Sequence, residues 1–261
     1  MKLPIVSKRQ RFLFASACSL AISLIFPTIL SQFGLVGISA LIVVLYVIIY
    51  LALWENISGV EYATLFILPI AFVIGANLFL SILPERKIFR YPMYAFIPIG
   101  TYIVLLTENI FNVAAIRTIQ LLRAAHAVSY IVTLITSFFL LSYVISMHYS
   151  IYLSTLWMLL IIIPLTLQFL WSFDLISQIT KRTLLFLLVI ALVFVQLNYF
   201  MHFFPQSIAM TSLFLVAVYY VLLGIMQHFY EKKLTRKPIV EYAIVAMIVF
   251  FIMIMTTSWQ G

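Results

Sequence analysis

Nine apolar runs of roughly 20 residues follow one another along the chain, each ended by charges or turn residues: approximately 12–30, 33–54, 62–83, 91–107, 124–147, 151–171, 183–201, 208–230 and 239–258. Within each run the apolar positions are continuous rather than alternating, which rejects β-barrel strands. Helices are then the remaining way to pair backbone N–H and C=O groups in an apolar solvent. A helix of about 20 apolar residues covers the roughly 30 Å of a bilayer's hydrocarbon. The pattern therefore predicts an all-α polytopic transmembrane helix bundle of about nine spans, a single integral membrane domain over residues 1–261. Its connections are too short to fold an extramembrane domain.

The fourth run is the weakest, being short and carrying Pro92, Pro98 and Gly100. A helix kinked near Pro98 is expected to cross; a re-entrant fourth segment, leaving eight spans, is the alternative. Pro27, Pro69 and Pro164 also fall inside runs. They read as architecture.

Composition agrees with the pattern. Of the 261 residues 66% are hydrophobic and 8% charged, with a mean hydropathy of +1.21. Soluble domains carry about 45–50% and 25%, so a water-soluble globule is excluded, as are disordered and disulfide-rich classes. The opening MKLPIVSKRQRFLF begins like a signal peptide, but the run after Phe12 is longer than a cleaved apolar region, so a retained first span is expected. Ala15 to Cys18 is a poor lipoprotein box, and lipidation is not expected. Cys18 is the sole cysteine, which rules out an intramolecular disulfide and a cysteine-based zinc site.

The formal charge of +8 reports orientation and attraction to anionic headgroups, and does not imply nucleic acid. With the N-terminus cytoplasmic and the C-terminus outside, 12 basic residues lie inside and only Arg86, Lys87 and Arg90 outside. The loop 84–90 is the discordant one. Trp54, Trp171, Trp259, Tyr91, Tyr149 and Tyr230 stand at run ends, where amphipathic rings rest at headgroup depth.

The densest polar passage spans 108–126. On a helical wheel Glu108, Asn109, Asn112, Arg117, Gln120, Arg123 and His126 occupy one half and Ile110, Phe111, Ala114, Leu121, Leu122 and Ala125 the other, which predicts one amphipathic helix leading into the fifth span. This run, in a chain of so many short-looped spans, resembles an uncharacterised family of bacterial multi-pass membrane proteins catalogued as a domain of unknown function. The resemblance implies a multi-pass bacterial membrane protein and transfers no catalytic or ligand residue.

Glu108, Asn112, Arg117, Gln120, Arg123 and His126 form the candidate polar cluster. It reads either as a site for an anionic headgroup or small solute at the cytoplasmic mouth of the bundle, or as an interfacial helix, and the second is the commoner use of such a segment. At least one of Arg117 and Arg123 is expected to meet an acid of another loop, from among Glu55, Glu61, Asp174, Glu231 and Glu241.

Polar residues inside the runs are few: Asn77, Gln168, Gln196 and Asn198, with Gln227 and His228 at the end of the eighth. For Asn77 and Gln196 the expected role is an interhelical hydrogen bond. A carrier would bring Asn77, Gln168, Gln196 and Asn198 to one cavity; a scaffold would pair them off one by one. No acid lies deep in a run, and His126, His148, His202 and His228 show no metal-binding spacing. Gly37–Ser39 only faintly resembles an intramembrane serine protease pattern.

The reading is a multi-pass membrane protein of non-enzymatic role, either a carrier of a small solute or lipid or a subunit of a membrane complex. A membrane-embedded enzyme acting on a lipid is the alternative. No cofactor and no catalytic residue is expected; the expected partners are the bilayer, its anionic headgroups and other membrane proteins.

Overall fold

The computed structural model describes residues 7–55, 57–115, 120–175, 179–204, 207–231 and 236–256. They form eight helices and no strand: α1 (Lys8–Leu53), α2 (Glu61–Ile82), α3 (Lys87–Ala114), α4 (Leu122–Ser146), α5 (Ile151–Asp174), α6 (Lys181–Met201), α7 (Ile208–Tyr230) and α8 (Arg236–Thr256). The all-α expectation stands. By length and composition α1 to α7 could each cross a bilayer, and α8 carries the apolar stretch Val240–Met255. The chain divides into two compact units, Met1–Val132 and Thr133–Gly261.

The first two apolar runs are joined in α1, and the connection expected at Ser31 and Gln32 is itself helical. A straight helix of 46 residues would be about 69 Å long. Its two ends nevertheless meet, because Lys8 Nζ lies 2.7 Å from a carboxylate oxygen of Glu55 and Arg11 bonds the other oxygen. The helix is therefore a hairpin of two arms, 8–33 and 35–53, and the reversal is at Gly34. There φ is 52° and ψ −129°, a conformation that L side chains rarely adopt. Three residues on, Gly37 lets the arms close: a Cβ at that position would lie 2.6 Å from Ile29 Cγ2. The first arm buries Phe12, Ala15, Ser16, Ser19, Ile22, Ser23 and Phe26 at three- and four-residue spacing, one stripe of a helix.

α2 is the innermost rod of this unit, buried at every position from Phe72 to Leu78. α3 is a single helix of 28 residues, about 42 Å long, which sets its ends on opposite sides of the unit. That geometry disfavours the re-entrant alternative. Gly100 contributes close packing here, since a Cβ there would lie 2.2 Å from Phe72 Cζ on α2. The two arms, α2 and α3 thus run alternately up and down.

In the second unit the helices are joined by polar and aromatic contacts. Asn198, near the end of α6, accepts from Ser154 Oγ (3.1 Å) and donates to Thr155 Oγ1 (2.8 Å) at the start of α5. Tyr219 of α7, wholly buried, sits 3.0 Å from Thr166 Oγ1 of α5 and edge-on to Phe194 of α6. α8 packs on α7 where Gly224 leaves room for the ring of Tyr242.

Both units present large apolar side chains outward, including Phe14 (67% exposed), Val36 (73%), Tyr152 (89%) and Leu185 (64%). A reversal resting on one glycine makes a direct prediction. Nothing lies within 4 Å of a Cβ built at Gly34, so Gly34→Ala meets no clash and costs only backbone strain, about 1–3 kcal/mol. Its thermal midpoint in detergent should fall by several degrees, while that of Ser39→Ala, an exposed site on the second arm, should stay near the wild-type value. Equal shifts would contradict the reversal.

Candidate functional site

The polar passage 108–126 is not one helix. α3 ends at Ala114 and α4 begins at Leu122, so Glu108 and Asn112 lie in the last turns of one helix and Arg123 and His126 in the first turns of the next. Arg117 lies outside the described residues. The wheel pattern is real on each side but is interrupted between them, where wheel geometry carries no information.

The candidates separate by burial. Glu108 and Asn112 are buried, at 0% and 2% exposure, while Gln120 and Arg123 are exposed. His126 stacks on Phe111, with ring centroids 5.4 Å apart. Asn112 has a defined structural role: its Nδ2 donates to the carbonyls of Glu55 (2.8 Å) and Leu53 (3.4 Å), satisfying acceptors that the end of a helix leaves open.

Glu55 is the centre of this end of the unit. Its carboxylate receives Lys8 and Arg11 from the start of α1, and Arg11 also lies over the Trp54 ring at 6.0 Å from its centroid. The hydrogen bond from Lys8 outweighs the opposing effect of burial and, with Arg11 acting in the same sense, holds the carboxyl below the usual carboxylate range. Glu61 accepts from the Ser58 backbone N–H at 2.8 Å. Glu55, one of the acids considered for Arg117 or Arg123, pairs instead with Lys8 and Arg11, and no ion pair of Arg123 occurs among the described residues. The sequence reading missed Arg11 because the reversal that delivers it depends on one backbone dihedral.

The opposite end of the same unit holds a polar cavity of about 190 Å³ between the first arm, α2 and α3. Asn77 lines it, 1% exposed, and is the residue that the amide pattern had singled out. It makes no interhelical bond: its Nδ2 donates to Val73 of its own helix (2.8 Å), and its Oδ1 has no partner. Ser23, Pro27 and Ser31 line the cavity from the arm, Ser81 from α2, and Arg90 and Tyr94 from α3. Pro27 has no N–H to offer the carbonyl of Ser23, four residues before it. The three serine hydroxyls donate back to Ser19, Thr28 and Leu78, which leaves their oxygens free to accept. Arg90 is held on the outer side by Glu85 at 3.3 Å, and its Nε is unpartnered. The cavity thus combines one cation with several acceptors.

The remaining amides do not gather. Gln196 is exposed, Asn198 is engaged between α5 and α6, and Gln168 is fully buried in α5. Among the described residues no three His, Cys, Asp or Glu side chains come together as metal ligands.

A family model described as "Protein of unknown function (DUF5656)" matches residues 54–256, from the end of α1 through α8. The match covers well over half of the chain, and the chain belongs to that family. No curated protein and no solved structure matches it.

Two outcomes follow from the Glu55 end. Asn112→Leu leaves the carbonyls of Leu53 and Glu55 without this donor and should cost about 1–3 kcal/mol, read as a lower thermal midpoint in detergent. For Glu55 the folded carboxyl is the more acidic, so the ion pairs contribute fully above the ordinary carboxylate range and are lost as pH falls through and below it. At 37% exposure of the Glu55 side chain the contribution is about 0–1 kcal/mol per pair. Glu55→Gln should flatten the acid limb of the stability profile; Arg123→Gln should leave it unchanged.

Proposed function

We propose that this family member is a polytopic integral membrane protein of nine passes, with its N-terminus cytoplasmic and its C-terminus outside, that works by binding rather than by catalysis. It belongs to the class of carriers or ligand-holding subunits of a membrane complex. Exposed leucine, phenylalanine and valine along helices of 21 to 46 residues support residence in hydrocarbon. The two arms of α1 count as two passes, and α2 to α8 as seven.

The observation that carries the binding function is a cavity lined both by Asn77, a buried amide whose Oδ1 has no partner, and by a guanidinium. An unsatisfied amide in an apolar layer costs free energy, and a ligand that donates to it recovers that cost. The cavity lies at the end that the basic-residue distribution assigns to the outside, together with the discordant Arg86, Lys87 and Arg90. On this reading one of the charges against the trend, Arg90, belongs to the binding site. Gln120 and Arg123, exposed at the other end, face cytoplasmic headgroups.

Single cysteines in a Cys18→Ala background test the arrangement. Cysteines at Gln32, Lys87 and Ser81 should react with an impermeant thiol reagent added outside, and those at Gln120 and Lys181 only after permeabilisation. The reverse pattern would invert the orientation, and labelling at all five would exclude an integral membrane protein.

A further inference from the structure

The polar groups of the Asn77 cavity define its ligand more narrowly, on the premise of the binding reading above. Among the described residues Arg90 is the only charged one that lines it, and no carboxylate does. A guanidinium beside acceptor groups favours an anion with oxygens in the plane of its N–H donors, and phosphate oxygens meet that geometry well. The Glu85 partner is 92% exposed, so that ion pair is weak and readily exchanged for a ligand. Tyr94 adds a hydroxyl on the same helix, one turn from Arg90.

Deeper in, the groups change character. Asn77 stands four residues, about 6 Å along α2, before Ser81, and so lies further from the helix end. Its Oδ1, the carbonyl of Ser23 and the serine oxygens all accept. A buried ammonium would satisfy them, but with no carboxylate on the lining it would enter without a countercharge, which is costly. Neutral hydroxyl donors satisfy the same acceptors without that penalty. The volume of about 190 Å³ admits a small polar head and not an acyl chain.

We propose that this cavity binds a phosphodiester or phosphomonoester carrying a hydroxylated, glycerol-like head, with the phosphate at Arg90 and Tyr94 and the head hydroxyls toward Asn77 and the serines. The source is either the headgroup of a phosphatidylglycerol-type lipid or a free polyol phosphate.

The test is native mass spectrometry of the full chain in mild detergent, offered phosphatidylglycerol and phosphatidylethanol of identical acyl chains. The two share the phosphodiester charge, and only the first has head hydroxyls. Phosphatidylglycerol should be retained about fivefold over phosphatidylethanol. Arg90→Gln should lower retention of both, by about tenfold. Asn77→Leu should abolish the preference between them while leaving phosphatidylethanol retention intact. Because either variant could fold poorly, Glu85→Gln supplies a gain: freeing Arg90 should raise phosphatidylglycerol retention about two- to threefold, which misfolding cannot mimic.

Glycerol phosphate added as competitor separates the sources, since displacement of the lipid assigns the soluble one and persistence of the lipid assigns the headgroup. Equal retention of the two lipids by the wild-type chain, or a preference that survives Asn77→Leu, overturns the proposal. Neither result bears on the orientation and insertion that the thiol labelling measures, so the two failures are distinguishable.

Discussion

A backbone N–H or C=O without a partner costs several kcal/mol in an apolar surrounding, so a chain with this composition can reverse only where a helix end is satisfied or a single residue absorbs the turn. The sharpest reversal in the first unit is of the second kind. Gly34 takes a dihedral pair that L side chains avoid, helix resumes on both sides of it, and Gly37 lets the arms close against Ile29. Everything else in that unit follows from the return of the second arm. It brings Glu55 to Lys8 and Arg11 and sets the Leu53 and Glu55 carbonyls before Asn112.

The same constraint explains the handling of side-chain polarity. Ser16, Ser19, Thr101, Thr107, Thr155 and Ser212 return their hydroxyl protons to carbonyls three or four residues back on their own helices. Such bonds cost little order and keep the donor satisfied in apolar surroundings. The larger amides cannot be hidden so cheaply. Asn198 and Asn112 are spent on joining elements, α6 to α5 and α3 to the end of α1. Asn77 differs in making its one bond to its own helix, with an unpartnered Oδ1, on the lining of a cavity. Asn112 Oδ1 and Arg11 Nε are also buried without a partner in this unit, and what sets Asn77 apart is its place on the cavity lining.

The all-helical character and the positions of the apolar helices were legible in the sequence because they depend on continuous apolar length, a property of neighbouring residues, whereas the joining of the first two runs into α1 was not. All nine apolar runs fall within helices over the described residues, and the weak fourth run is a helix because Gly100 serves packing on Phe72 rather than a break. The polar passage 108–126 was legible as polar and wrongly read as one helix, since wheel geometry assumes an unbroken rise and the chain leaves helix at Ala115. Asn77 was visible as an amide inside an apolar run, but its lack of an interhelical partner depends on what α1 and α3 place beside it. Arg90 read only as a charge against the orientation trend. Its position on the cavity comes from the antiparallel course of α2 and α3, which no local pattern encodes.

The central claim is the reversal within α1, and it is read most directly as a distance. Spin labels at the exposed positions Leu13 and Leu51, one on each arm, would be separated by about 57 Å along a straight helix. In the hairpin they sit at matching heights on adjacent rods whose axes are about 8–10 Å apart. Double electron–electron resonance on the full chain in detergent or nanodiscs should therefore give a narrow distribution below roughly 25 Å, after allowing for label length and helix diameter. A distribution centred near 57 Å would contradict the hairpin and, with it, the meeting of Glu55 with Lys8 and Arg11 on which the first unit is built.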